Sequence, residues 1–382
     1  AIRAALARAG LGADAVDEVF LGHVLPAGAG QAPARQAAHA AGIPWSVPCT
    51  AVNKVCASGL KACMLGAQAI RGGDARVVVC GGMESMSNVP HLCSAARFGR
   101  KFGDAALVDG LQRDGLRDAY SHEEMGRAAC LCAAEHGISR ADQDAFAAAS
   151  YARARAAQQA GKFAAELVPL ERPARGGTTL RVAADEEPML REVDAESLAA
   201  LRPAFQLPAA AEARLGASPH ARSVTAGNAS VISDGAACVV LASASFAAER
   251  NLPILAFVDA WADGATDPEH FTEAPTLAAR TALDRAGLRP ADVDLFEINE
   301  AFSVVGLVNM RLLGIPHDKV NVYGGAVALG HPLGASGCRI LCTLISALHQ
   351  EGGARGLATI CNGGGGASAV VVSRGPGVPA RL

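Results

Sequence analysis

Aromatic side chains are scarce in this chain. Of its 382 residues only 4% are Phe, Trp or Tyr, although 51% are hydrophobic, so Ala, Val, Leu and Gly must do most of the packing. Basic runs are lacking and the net charge is −3, which excludes the electrostatic footprint that nucleic acid requires. No apolar stretch approaches the roughly 20 residues of a membrane span. There is no initiating Met and no signal-peptide pattern; the chain opens on Ala1-Ile2-Arg3-Ala4-Ala5-Leu6, already in helical periodicity. The 11 cysteines are an odd count without metal-ligand spacing: Cys130 and Cys132 are two apart and no His pair follows at finger spacing. Most read as small buried apolar residues of a reducing compartment, and no metal site is expected. The run Asn362-Gly363-Gly364-Gly365-Gly366 lacks the Lys and Ser/Thr of a phosphate loop, which sets aside a nucleotide-binding enzyme.

What is present is a set of reactive side chains at the ends of apolar runs, each beside glycine. Cys56 stands in Asn53-Lys54-Val55-Cys56-Ala57-Ser58-Gly59, His331 in Gly330-His331-Pro332-Leu333-Gly334, and Cys361 before four glycines. A thiol nucleophile, an imidazole to activate it and a second thiol for proton transfer would suffice for acyl transfer.

One unit occurs twice. A helix over 2–10 ends at Gly10 and is followed by a strand, Val16–Gly22; a helix over 277–287 ends at Gly287 and is followed by the strand Val293–Ile298. The two glycines are 277 residues apart (287 − 10). Ala57-Ser58-Gly59 opens a helix to about Arg71, and Ala335-Ser336-Gly337 opens its counterpart. Each helix precedes a buried strand, 75–80 and 356–361, that runs into glycines. Strands alternating with helices imply an α/β fold of two units with mostly parallel sheets. The second copy has a strand at 254–260 before its helix; the first starts inside the helix, so its first strand is expected to be missing at the N-terminus. The units are assigned to 1–87 plus 217–245 and to 246–374, with an inserted loop domain over 88–216 covering the site and a flexible tail over 375–382.

Read singly, each candidate has a plainer alternative. Cys56 precedes a helix, where dipole and free N–H groups lower a thiol pKa of about 8.5 toward roughly 3.5–7.5; it is otherwise a buried helix-start Cys. His331 is biased away from helical dihedrals by Pro332, and is otherwise a satisfied structural residue. Cys361 precedes glycines whose N–H groups could stabilise an oxyanion, and is otherwise an inert thiol in a tight turn. Asn299, in Asn299-Glu300-Ala301-Phe302, could orient a water or hold a carbonyl; it is otherwise a helix cap.

Together the four motifs resemble the thiolase family over essentially the whole chain, and around Cys56 they look most like its acetoacetyl-CoA thiolase branch. The long-chain degradative thiolases usually differ there, and related ketosynthases place a second His where Cys361 stands. The resemblance implies a layered α/β/α/β/α core. It implies that Cys56 carries an acetyl group as a thioester, that His331 takes the Cys56 proton, and that Cys361 abstracts the α-proton of the second acetyl-CoA. Asn299 would hold a water in one oxyanion hole; the N–H groups of Cys56 and Gly363 would form the other. Met125, Ser197, Phe205, Ser230 and Phe302 match family positions around coenzyme A. The implied reaction is condensation of two acetyl-CoA to acetoacetyl-CoA plus CoA, and its thiolytic reverse. The implied state is a homodimer or homotetramer, with CoA thioesters as substrates and no cofactor, nucleic acid or membrane partner. A 3-ketoacyl-CoA thiolase of broader chain length and an inactive CoA-binding relative are the alternatives. Glu124 stands where many bacterial members carry His, and Leu207–His220 is an insertion. The final Ala380-Arg381-Leu382 is a loose peroxisomal address, which leaves cytoplasm or peroxisome.

Overall fold

The computed structural model describes every residue except 175–176, 191–192, 208–210, 214–217 and 376–382, so all but the start of the expected tail lies outside the described residues. Two four-stranded sheets form the frame. The first contains β1 (Glu18–Gly22), β2 (Cys49–Val52), β3 (Val77–Ser85) and β4 (Asp234–Ala242), in the order β2-β1-β3-β4. The second contains β5 (Phe257–Ala265), β6 (Leu295–Ile298), β7 (Arg355–Asn362) and β8 (Gly366–Ser373), in the order β6-β7-β8-β5.

Two helices, Ser58–Gly72 and Leu333–Glu351, fill the space between the sheets and pack on strands of both units. Each ends at a glycine in the left-handed region, Gly73 at φ 85 and Gly352 at φ 74. Their apolar stripes recur at three- and four-residue spacing: Leu60, Cys63 and Met64 in one, Ile340, Leu341, Leu344 and Leu348 in the other, all buried. Each such aliphatic side chain contributes about 1.5–3 kcal/mol by leaving water. The helices touch backbone to backbone. A β-carbon on Gly59 would lie 2.8 Å from Gly334 O, and one on Gly337 would lie 2.4 Å from Leu60 N. Outside the sheets, the Ile2–Ala9 helix covers β4 and the Ala274–Ala286 helix covers β5, β7 and β8. The result is the layered α/β/α/β/α core.

Three expectations need correction. The sheets are mixed rather than mostly parallel: β1 pairs parallel with β2 and β3, and β6 with β7, but β3–β4, β7–β8 and β8–β5 are antiparallel. The cause on β7 is local. Gly364 (φ 82) and Gly365 (φ 83) adopt backbone angles that permit a tight hairpin into β8. β3 does not stop at Gly81-Gly82 but continues to Ser85, because those glycines let other backbone close on the strand. A β-carbon on Gly81 would meet Ala237 O at 2.2 Å, and one on Gly82 would meet Gly334 O at 1.9 Å. β5 starts at Phe257 rather than Ile254, which is half exposed. The first sheet has no counterpart of β5 among the described residues, and β4 forms its edge, half-buried where its equivalent β8 is buried throughout.

Residues 88–216 hold two short ribbons, His91–Leu92 with Val108–Asp109 and Leu170–Pro173 with Thr179–Val182. They also hold the helices Met125–Glu135 and Arg140–Gln159, the latter opened by a Ser139–Asp142 capping box.

Candidate active site

Cys56 sits on a strained turn between β2 and the Ser58 helix. Val55, a β-branched residue, is held at φ 47, a conformation that costs about 1–3 kcal/mol and persists only under restraint. The restraint is visible: Ser58 Oγ donates to Val55 O at 2.6 Å and accepts from Lys54 N at 2.8 Å, and Asn53 Oδ1 accepts from Val55 N at 3.0 Å. Lys54 in turn bonds Ala367 O (2.8 Å) and Ser368 Oγ (2.9 Å) on β8, which pins the turn to the other unit. The backbone N–H groups of Gly363 and of Cys56 itself lie beside the Cys56 sulfur and favour its charged form. They do not make it acidic, contrary to the helix-start expectation. Burial is the larger influence and pushes the thiol up to about 11.

Cys361 ends β7, is 1% exposed, and lies close enough to Cys56 that charge on one thiol disfavours charge on the other. Burial first, and Cys56 second, hold its pKa well above the usual thiol range. The next residue but one, Gly363, begins the hairpin turn, and a β-carbon there would touch Val55 and Met125.

His331 is buried beside Asn299, whose Nδ2 is 3.5 Å from His331 Nε2. Its other nitrogen, Nδ1, is 2.6 Å from Ser336 Oγ. Ser336 donates its only hydroxyl proton to Pro332 O at 2.9 Å, so it must accept from His331. The proton is thereby fixed on Nδ1, and Nε2 presents its lone pair. Desolvation, with Arg339 second, holds the ring well below the normal His range, at about 3. Asn299 Oδ1 is buried with no protein partner among the described residues. Leu333, two residues after His331, belongs to the apolar cluster against which Cys56 packs. The structure therefore forms two groups, Cys56–Gly363–Cys361 and Asn299–His331–Ser336, that meet where the Ser58 and Leu333 helices begin.

A wall of side chains runs outward from Gly363. Met125 opens the Met125–Glu135 helix beside it. Phe205 lies directly over Gly126, where a β-carbon would come within 2.3 Å of its ring. Phe302 meets Phe205 edge-on, with centroids 6.5 Å apart. Ser230 is tied in by its N–H to Ala301 O at 3.0 Å. Ser197 stands apart: it is exposed, and its hydroxyl closes a capping box with Asp194 on the short Ala195–Ala199 helix. Glu124 caps the Met125 helix at a backbone position and pairs with Arg127 at 2.7 Å.

Models of the thiolase N-terminal domain and the thiolase C-terminal domain match residues 1–245 and 252–374. The chain belongs to the thiolase family. An acetyl-CoA acetyltransferase of Schizosaccharomyces pombe is 50% identical over 375 residues, 98% of this thiolase and 91% of its own chain. A cytosolic acetyl-CoA acetyltransferase of Gibberella zeae is 49% identical over 373 residues, 97% of this chain and 90% of its own. The crystal structure of the Acat5 thiolase from Ascaris suum in complex with coenzyme A superposes with a TM-score of 0.88 at 42% identity, covering 97% of this chain and 91% of that one.

Two residues of this thiolase's candidate site escaped sequence reasoning. Ser336 was visible only as a helix start, although its place five residues after His331 was the available signal. Glu84, at the end of β3, is 4% exposed and accepts N–H bonds from Val24, Leu25 and Gly334. Nothing in its local sequence announces those partners.

Proposed function

We propose that this thiolase condenses two acetyl-CoA to acetoacetyl-CoA and CoA, and runs the reverse thiolysis, through an acetyl-Cys56 intermediate. The observation that carries the reading is a pair of neutral groups with opposed tasks, Cys56 half-buried and His331 buried. Cys56 is a thiol and His331 a lone-pair-bearing imidazole at neutral pH, with pKa values near 11 and 3. No ion pair stands ready; the proton leaves Cys56 for His331 Nε2 only as the sulfur attacks the thioester carbonyl.

In the first half-reaction the Cys56 sulfur bonds to the acetyl carbon and the C–S bond to CoA breaks. Cys361 donates its proton to the departing CoA thiolate. In the second, the Cys361 thiolate removes an α-proton from another acetyl-CoA, and the resulting carbanion attacks acetyl-Cys56. The C–S bond to Cys56 breaks to release acetoacetyl-CoA, and the Cys56 thiolate takes back the proton held on His331. The N–H groups of Cys56 and Gly363, which already converge on the Cys56 sulfur, are suited to the oxyanion of the acyl-enzyme. Asn299 and His331 hold the other oxygen, Asn299 through a water. Fixed dipoles of this kind stabilise the transition state without reorganising. Met125, Phe205, Phe302 and Ser230 would line the path of the pantetheine arm, with Ser197 toward the adenine end. The protein works as a homodimer or homotetramer.

The cytosolic relative supports a cytosolic setting; Ala380-Arg381-Leu382 lies outside the described residues. Incubation with acetyl-CoA should add one acetyl group to the Cys56 peptide by mass, and thiolysis should be faster with acetoacetyl-CoA than with 3-ketooctanoyl-CoA. A folded protein without the adduct would leave an inactive CoA-binding relative; faster turnover of the longer chain would leave a broader 3-ketoacyl-CoA thiolase.

A further inference from the structure

Away from the thiol site, the last turn of the Met125–Glu135 helix meets the start of the Ala274–Ala286 helix. Cys132 Sγ, a ring nitrogen of His136 and a carboxylate oxygen of Glu273 all lie within 4.8 Å of one another there. We propose that these three residues form a binding site for a soft divalent transition metal, zinc being the natural occupant.

The chemistry of the donors fits. Thiolate sulfur, imidazole nitrogen and carboxylate oxygen are the zinc ligand set, whereas magnesium and calcium prefer oxygen alone. Cys132 and His136 are four apart, so a helical turn places both on one face. One thiolate and one carboxylate balance a divalent charge, so the loaded site is neutral where it is buried. His136 Nε2 and Glu273 Oε1 are already 3.0 Å apart. Metal–ligand distances of about 2.0–2.3 Å in a tetrahedron demand ligand separations of roughly 3.3–3.7 Å, within reach of side-chain rotation.

A second observation points the same way. The Thr272 hydroxyl is fully buried, and its polar neighbour is the Cys132 thiol, whose charged form it favours. It is placed to donate to a thiolate there and so hold the sulfur in its orientation. The segment is braced: Asn309 Nδ2 donates to Thr272 O at 2.8 Å, and Asn309 Oδ1 accepts from Thr276 N at 2.9 Å. Cys132 closes the inner side while His136 and Glu273 are partly exposed, which leaves the fourth position for water and a route for the ion. A metal here would tie the helix that begins at Met125 to the helix that covers β5.

The test is cobalt titration of the full-length, chelator-treated protein. One equivalent should produce a thiolate charge-transfer absorption and tetrahedral visible bands, reversed by zinc. The signal should survive Cys56→Ser and Cys361→Ser, which remove the active-site thiols as its source, and vanish in Cys132→Ser and His136→Gln. Thr272→Val should weaken binding by about 10–100-fold. Because Cys132 is buried, the rim variant Glu273→Gln is the second arm: zinc should raise the melting temperature of the parent protein and not of this variant. Absence of the cobalt signal in the parent, or its persistence in both Cys132→Ser and Glu273→Gln, overturns the site.

Discussion

Glu84 Oε2 accepts the backbone N–H of Gly334 at 2.9 Å, across 250 residues of chain. The same oxygen takes Val24 N at 3.0 Å, and Oε1 takes Leu25 N at 3.2 Å. One buried carboxylate thus joins the end of β3, the loop after β1 and the start of the Leu333 helix. Glu84→Gln keeps the shape but turns one acceptor into a donor that faces N–H groups. An unsatisfied buried group costs about 1–3 kcal/mol. Denaturant titration should show a loss of that size, and kcat should fall with it because the Leu333 helix carries His331 at its start.

Ser336→Ala removes the acceptor that fixes the His331 tautomer. A positioned acid–base group contributes about 10²–10⁴-fold, and a ring free to adopt the wrong tautomer forfeits part of it. The expected outcome is a fall in kcat of about tenfold or more with KM little changed, and rescue by Ser336→Thr. Steady-state kinetics of acetoacetyl-CoA thiolysis checks it. Equal losses in Ala and Thr variants would assign Ser336 to packing instead.

Cys56, with its pKa near 11, should be a slow nucleophile toward simple reagents at neutral pH. Its alkylation rate by iodoacetamide should keep rising through pH 9 and 10. A plateau by pH 8 would contradict the burial argument. The substrate-driven reaction need not follow that profile if, as proposed, His331 receives the proton during attack.

Glu297 is 2% exposed on β6, and burial raises its carboxyl from 4.5 to about 8. Arg339, 3.6 Å away, does not offset the desolvation. The folded state therefore holds a proton that the unfolded chain has released, so stability from this group is present below about pH 4.5 and is lost as pH rises toward 8. Thermal melts from pH 5 to 9 should show that decline, and Glu297→Gln should flatten it. An unchanged slope in the variant would mean another group is responsible.

Much of the candidate site was legible because its reactive side chains sit at junctions between apolar runs and glycine turns. Cys56, His331 and Cys361 each stand at such a junction, and the repeat paired Gly59 with Gly337, each of which lies close against the opposite helix. What stayed hidden depends on the third dimension. Local sequence does not report that Gly81 and Gly82 belong inside a strand, because the reason is backbone arriving from Ala237 and Gly334. The helix-start position of Cys56 argued for a low pKa, but depth of burial decides it. Cys132 and His136 carried helical spacing, yet Glu273, their third partner, lies 137 residues beyond His136 (273 − 136).

The glycine contacts between the two central helices set a limit on change. Where Gly59 and Gly337 press against opposing main chain, there is no volume left for even one methyl group. Duplicated halves are usually free to drift apart; these can do so everywhere except along the line where they touch. A half transplanted from a distant relative would work here only if it brought an equally bare edge.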